Sequence, residues 1–68
     1  MDFSKEIYEA KKSGITVRIK IIGDNEYIGV IESTPPNHLT LAQVGGGKVT
    51  LWIDSIIEFE PLEKIIND

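Results

Sequence analysis

The feature that most constrains this chain is a change of hydrophobic period at Gly14. Before it, Phe3, Ile7 and Tyr8, with Ala10, recur at helical spacing. After it, Ile15, Val17, Ile19 and Ile21 alternate with Thr16, Arg18 and Lys20. Successive side chains of a strand point to opposite sides, so this alternation gives one apolar and one polar face. The first segment predicts a short helix over 2–13. Asp2 or Ser4 supplies an acceptor for its orphan backbone N–H groups. Lys11 and Lys12 fill the last turn, and Gly14 stands where a left-handed cap is needed. A helix this short is marginal alone and must lean on another element.

Turn signals then divide the rest into short strands. Gly23-Asp24-Asn25 marks a tight turn. From Glu26 to Ser33, Ile28, Val30 and Glu32 share one face, and Tyr27, Gly29 and Ile31 the other. Gly29 in mid-strand has no side chain to pack, which predicts a bend or a close backbone approach. Thr34-Pro35-Pro36-Asn37 ends that strand, since proline donates nothing to a ladder. His38 to Val44 predicts a third strand with Leu39 and Leu41 inward. Gly45-Gly46-Gly47 is a turn, and Lys48 to Trp52 a fourth strand. Ile53-Asp54-Ser55 is a brief connector, Ile56 to Glu60 a fifth strand, and Pro61 its stop. The tail from Leu62 to Asp68 reads as a frayed helical turn or as disorder. One helix and five strands at hairpin spacing predict a mainly β chain: a strongly bent five-stranded antiparallel barrel over 15–60, SH3-like or OB-like. The connector of about three residues between the last two strands suits a corner between orthogonal sheets, which favours the SH3-like form.

Sixty-eight residues make one domain, spanning 1–68. A chain of that size buries only about 60% of its unfolded surface. Small domains are often reinforced by disulfides, metals or self-association. This one has no cysteine, and His38 is its only histidine. A disulfide is thereby excluded, a zinc cluster is nearly so, and self-association is the expected reinforcement. The polar, acidic start lacks a signal peptide's basic and apolar regions. No apolar run is long enough to span a bilayer. With the absence of cysteine, these features are compatible with a cytoplasmic protein and no membrane partner.

The net charge of −4 argues against a general duplex-DNA or membrane-surface binder. It is unevenly spread: residues 1–22 sum to +2 and the remainder to −6. The basic end offers local contacts to a phosphate backbone. Alternatively, Lys11 and Lys12 only complement the helix dipole.

The order and spacing resemble the Sm-like (LSm/Hfq) family from about Gly14 to Pro61. Val17-Arg18-Ile19-Lys20, Gly23-Asp24 and Tyr27-Ile28-Gly29-Val30-Ile31 resemble its first motif, and Asn37-His38-Leu39-Thr40-Leu41 that motif's closing segment. Leu51-Trp52-Ile53-Asp54-Ser55-Ile56-Ile57-Glu58-Phe59 resembles the second motif. The resemblance implies an Sm-type barrel that pairs its fourth strand with the fifth strand of the next copy, in a homo-hexamer or homo-heptamer. It also implies single-stranded RNA held near the pore. Two departures stand out. Where the family often has an aspartate and a base-binding asparagine, this chain has Thr34 and His38, with Asn37 one residue early. Trp52 and Ile53 replace the Arg-Gly or Lys-His of the second motif.

The candidate RNA-binding residues are therefore Trp52, His38, Asn37, Lys11 and Lys12. Trp52 is the lone tryptophan, and serves either as a platform for an unpaired base or as a subunit contact. His38 hydrogen-bonds a base edge or merely opens a strand. Asn37 is a ligand or turn chemistry after Pro-Pro. Lys11 and Lys12 are candidate phosphate contacts. Phe3 and Tyr8 are expected to pack the helix rather than to stack on bases. No catalytic constellation is visible. Ser33 and Ser55 lack a nucleophile elbow, and Glu58 and Glu60 share a strand face, as solvated carboxylates do. Gly45-Gly46-Gly47-Lys48 joins two strands and opens no helix, so it is not a phosphate loop. The expectation is an RNA-binding module without enzymatic activity, cofactor or metal. The alternative is an oligomeric scaffold with no nucleic-acid role.

Overall fold

The computed structural model describes residues 2–62. The expectations for the tail fall mostly outside them. Helix α1 spans Ser4–Ser13. It begins two residues later than the pattern suggests, with Phe3 at the cap position. Asp2 nonetheless caps it, because its Oδ1 accepts from the Ser4 backbone N–H at 2.9 Å. Gly14 closes the helix at φ 69°, a left-handed conformation that costs glycine nothing. Ile7 and Ala10 are buried, and Phe3 stacks on Phe59 at 6.1 Å. Tyr8 departs from its expected packing and is 64% exposed. It lies a quarter-turn beyond Ile7, past the stripe that the sheet covers.

Five antiparallel strands follow: β1 (Thr16–Ile21), β2 (Glu26–Ser33), β3 (His38–Gln43), β4 (Lys48–Trp52) and β5 (Ile56–Pro61). A 3₁₀ turn over Ile53–Ser55 joins the last two. The sheet order is β4-β3-β2-β1-β5, so β4 and β5 are its edges. Pro61 is the last residue of β5, opposite Val17, rather than a stop beyond it.

The alternation in β1 lands as the sequence implies. Val17 and Ile19 are fully buried with Leu39 and Leu41 of β3. Burying each of these contributes about 1.5–3 kcal/mol. Ile31, Leu51 and Ile56 complete the cluster with the helix residues. Register shifts at Lys20/Ile21 and Ile31/Ser33 bend the strands. At Gly29 the approach is closest: a Cβ there would lie 2.1 Å from the Ala42 carbonyl oxygen. No helix among the described residues is long and apolar enough to cross a membrane.

Candidate functional site

The glycine turn determines what faces what at the far end of the β3–β4 hairpin. Gln43 N–H donates to Gly47 O across the turn at 2.9 Å. From there the ladder runs in step to His38 opposite Trp52. Hydrogen-bonded and open pairs alternate along an antiparallel ladder, which makes His38–Trp52 an open pair whose side chains stand close. The two rings meet at 4.1 Å between centroids, tilted 41°. Trp52 remains 56% exposed, so the imidazole covers only part of the indole.

The loop before β3 supports this pair. Asn37 adopts φ 66°, a left-handed position that asparagine tolerates better than most residues. Its carbonyl accepts from Ile53 N–H at 3.0 Å, tying the β2–β3 loop to the 3₁₀ turn. His38 N–H donates to Pro35 O, and His38 Nδ1 lies 2.8 Å from Pro36 O. The backbone thereby fixes the imidazole beside Trp52.

An open groove of about 330 Å³ is lined by Ser4, Ile7, Tyr8, Lys11, Thr34 and Ile53. Of its lining, Ile53 follows Trp52 in the chain and Thr34 opens the loop that leads to Asn37, but neither Trp52 nor His38 lines it. Lys12 lies apart, in a second surface depression with Tyr8, Glu9 and Ser13. The structure thus brings Trp52 and His38 together beside Asn37, and places Lys11 in the groove and Lys12 in the second depression, both on α1.

The charge map sharpens what the sequence suggested. Arg18 donates to Glu26 and, from Nε and Nη2, to Glu60 Oε1 at 3.0 and 2.7 Å. Glu58 lies 3.7 Å away. The hydrogen bonds to Glu26 and then Glu60 push the guanidinium pKa further up. Arg18 is therefore neutralised on the outer face of β1, β2 and β5 and adds no free cation. Lys48 is paired with Glu32 at 3.0 Å. Among the described residues no ion pair engages Lys5, Lys11 or Lys12. Lys20 of β1 has no ion pair among the described residues either, so the free cations of the N-terminal third are the three lysines of α1 and Lys20.

The backbone matches a crystal structure of the pleiotropic translational regulator Hfq with a TM-score of 0.73. The match covers 84% of this chain and 93% of that one, at 18% identity. An Hfq protein from Anabaena sp. gives 0.72 over 87% and 93%, at 19% identity. This chain has the Hfq fold. No family model and no curated protein matches its sequence. The groove lining also includes Tyr8, Ser4 and Thr34, which the sequence does not mark as candidate contacts. Sequence alone does not single out Tyr8, since Ile7 and Tyr8 are adjacent apolar residues and only packing on the sheet decides that Ile7 is the buried one. The His38–Trp52 pair follows from the register, five residues outward from Gln43 and Gly47, whose hydrogen bond closes the turn.

Proposed function

We propose that this chain is a ring-forming RNA-binding protein that holds short single-stranded U- or A-rich RNA near a central pore. One observation carries the reading: an exposed indole meets a backbone-fixed imidazole at the end of the β3–β4 hairpin, next to Asn37. Single-stranded RNA is commonly read in this way, with bases stacked on aromatic faces, hydrogen bonds at their edges and cations on the phosphates. Trp52 supplies the stacking face, His38 and Asn37 the edge contacts, and Lys11 and Lys12 the phosphate contacts. Six or seven copies joined edge to edge would bring several such pairs round one pore. The likeness to a translational regulator makes control of messenger RNA a fitting role.

The acidic outer face around Arg18 favours the competing reading, an oligomeric scaffold with no nucleic-acid role. Fluorescence anisotropy with labelled oligo-U and oligo-A separates the two. Binding at low salt, weakened as salt rises, is expected. Failure to bind either oligomer at low salt removes the RNA reading and leaves the scaffold.

A further inference from the structure

An aromatic platform accepts every base, so discrimination at Trp52 needs a neighbouring polar group. His38 is that neighbour, and its chemistry is set by the loop. Its Nδ1 lies 2.8 Å from the Pro36 carbonyl oxygen. A carbonyl oxygen only accepts, so Nδ1 carries a proton and donates. In the neutral ring Nε2 is then the acceptor, left for a ligand.

We infer that His38 is the specificity-determining residue of the Trp52 platform, and that it reads the hydrogen-bond polarity of a base edge and reverses its preference on protonation. The inference rests on the RNA-binding reading above. Neutral His38 accepts from the ring N–H of uracil or guanine. Cytosine and adenine place a ring-nitrogen acceptor there, which would face a second acceptor. Once protonated, both imidazole nitrogens donate, and the preference passes to cytosine and adenine. Protonation also leaves the stack intact, because a cation is attracted to the indole face.

Few charged groups compete for this role. The loop residues Pro36 and Asn37 carry no charge. On β4 the charged residue is Lys48, opposite Ala42 at the other end of the hairpin and paired with Glu32 of β2. Asp54 follows Trp52 by two residues in the 3₁₀ turn. Lys11 of α1 lies in a groove that neither His38 nor Trp52 lines.

The test compares labelled hexamers of uridine, cytidine and N3-methyluridine by anisotropy on the full chain. Trp52 is the only tryptophan, so its fluorescence reports the protonation of the ring beside it. A fluorescence titration sets one working pH above and one below the transition. Above it, the uridine hexamer should bind about tenfold tighter than the other two, the scale of one hydrogen bond set against an unmet one. Below it, the cytidine hexamer should overtake. His38→Phe keeps a ring against Trp52 but removes Nε2, and should bind all three alike at both values. Equal binding of all three to the unmodified protein above the transition, with Trp52 fluorescence responding to each, overturns the inference and leaves the RNA platform standing. Absence of binding by every hexamer overturns both.

Discussion

At the scale of single residues, Gly29 is the position where the fold leaves least freedom. Its φ is ordinary, so the constraint is space rather than conformation. Ala42 O would stand 2.1 Å from an added Cβ, and backbone cannot swing aside as a flexible side chain can. Gly29→Ala should therefore open the β2–β3 ladder and destabilise the domain by about 1–3 kcal/mol or more. That is a large share of a small domain's stability. Gly45→Ala is the matched control, since nothing lies within 4 Å of its added methyl. Urea unfolding should show a clear loss of midpoint for the first and almost none for the second. An unchanged midpoint for Gly29→Ala would mean the ladder has slack that the structure does not show. A glycine interrupting an alternating strand was enough to flag this site from sequence. Arg18 was not legible in the same way. Its partner Glu60 is 42 residues distant, and only the β1–β5 register brings them together.

At the scale of elements, α1 is the piece with both a marginal structure and a proposed task. Its C-terminal boundary was legible because caps and charges act locally: Gly14 and the lysines stand where the pattern puts them. Its exposed face was not, because Tyr8 and Ile7 are both apolar neighbours and only the sheet decides between them. The Asp2 carboxyl is held below the usual carboxylate range by hydrogen bonds from the Ser4 side chain and then its backbone N–H. A depressed folded-state pKa adds stability above the unfolded value, and loses it as pH falls through the folded one. The difference in melting temperature between the parent and Asp2→Ala should thus be constant near neutrality. It should shrink below about pH 4, the unfolded aspartate value. A difference that persists unchanged to pH 2 would assign the effect to something other than the ionised cap. The same helix carries the proposed phosphate contacts. Each single-stranded contact contributes about 0.7 to the slope of log affinity against log salt. Lys11→Ala and Lys12→Ala should each lower the slope by about that amount. Lys11→Ala should weaken binding more, because Lys11, unlike Lys12, lines the groove that includes Ile53, the residue after Trp52. An unchanged slope in both variants would take α1 out of the RNA path.

At the scale of the whole molecule, the question is what the two sheet edges do. Counting from the Gln43–Gly47 hydrogen bond, β4 alternates between residues that face β3 and residues that face outward. Val49 and Leu51 exchange bonds with β3, whereas Lys48, Thr50 and Trp52 turn their N–H and C=O groups away. On β5 the count starts from Leu62 N–H on Thr16 O at 2.8 Å, and Phe59 and Pro61 face outward. Proline, lacking an N–H, sits where no intrachain bond is missed. Two open edges on so small a sheet invite pairing, and a closed ring removes both. Thr50→Pro separates fold from assembly. It leaves the β3 ladder whole, because the lost N–H points outward, and it blocks the edge with a ring that cannot donate. Thr50→Val is its control, since it removes the hydroxyl that meets Thr40 Oγ1 at 3.2 Å but keeps the N–H. Light scattering after size exclusion should give the parent and Thr50→Val a mass six or seven times the 7.6 kDa of one chain. Thr50→Pro should run near one chain mass with its far-UV circular dichroism retained. A parent protein that itself runs at one chain mass would sink the ring. A Thr50→Pro variant that stays fully assembled would move the contact away from β4. If the pairing runs through β4, the chain-mass variant should also lose most of its RNA affinity with Trp52 and Lys11 untouched, because several sites bound to one strand hold it far more tightly than one.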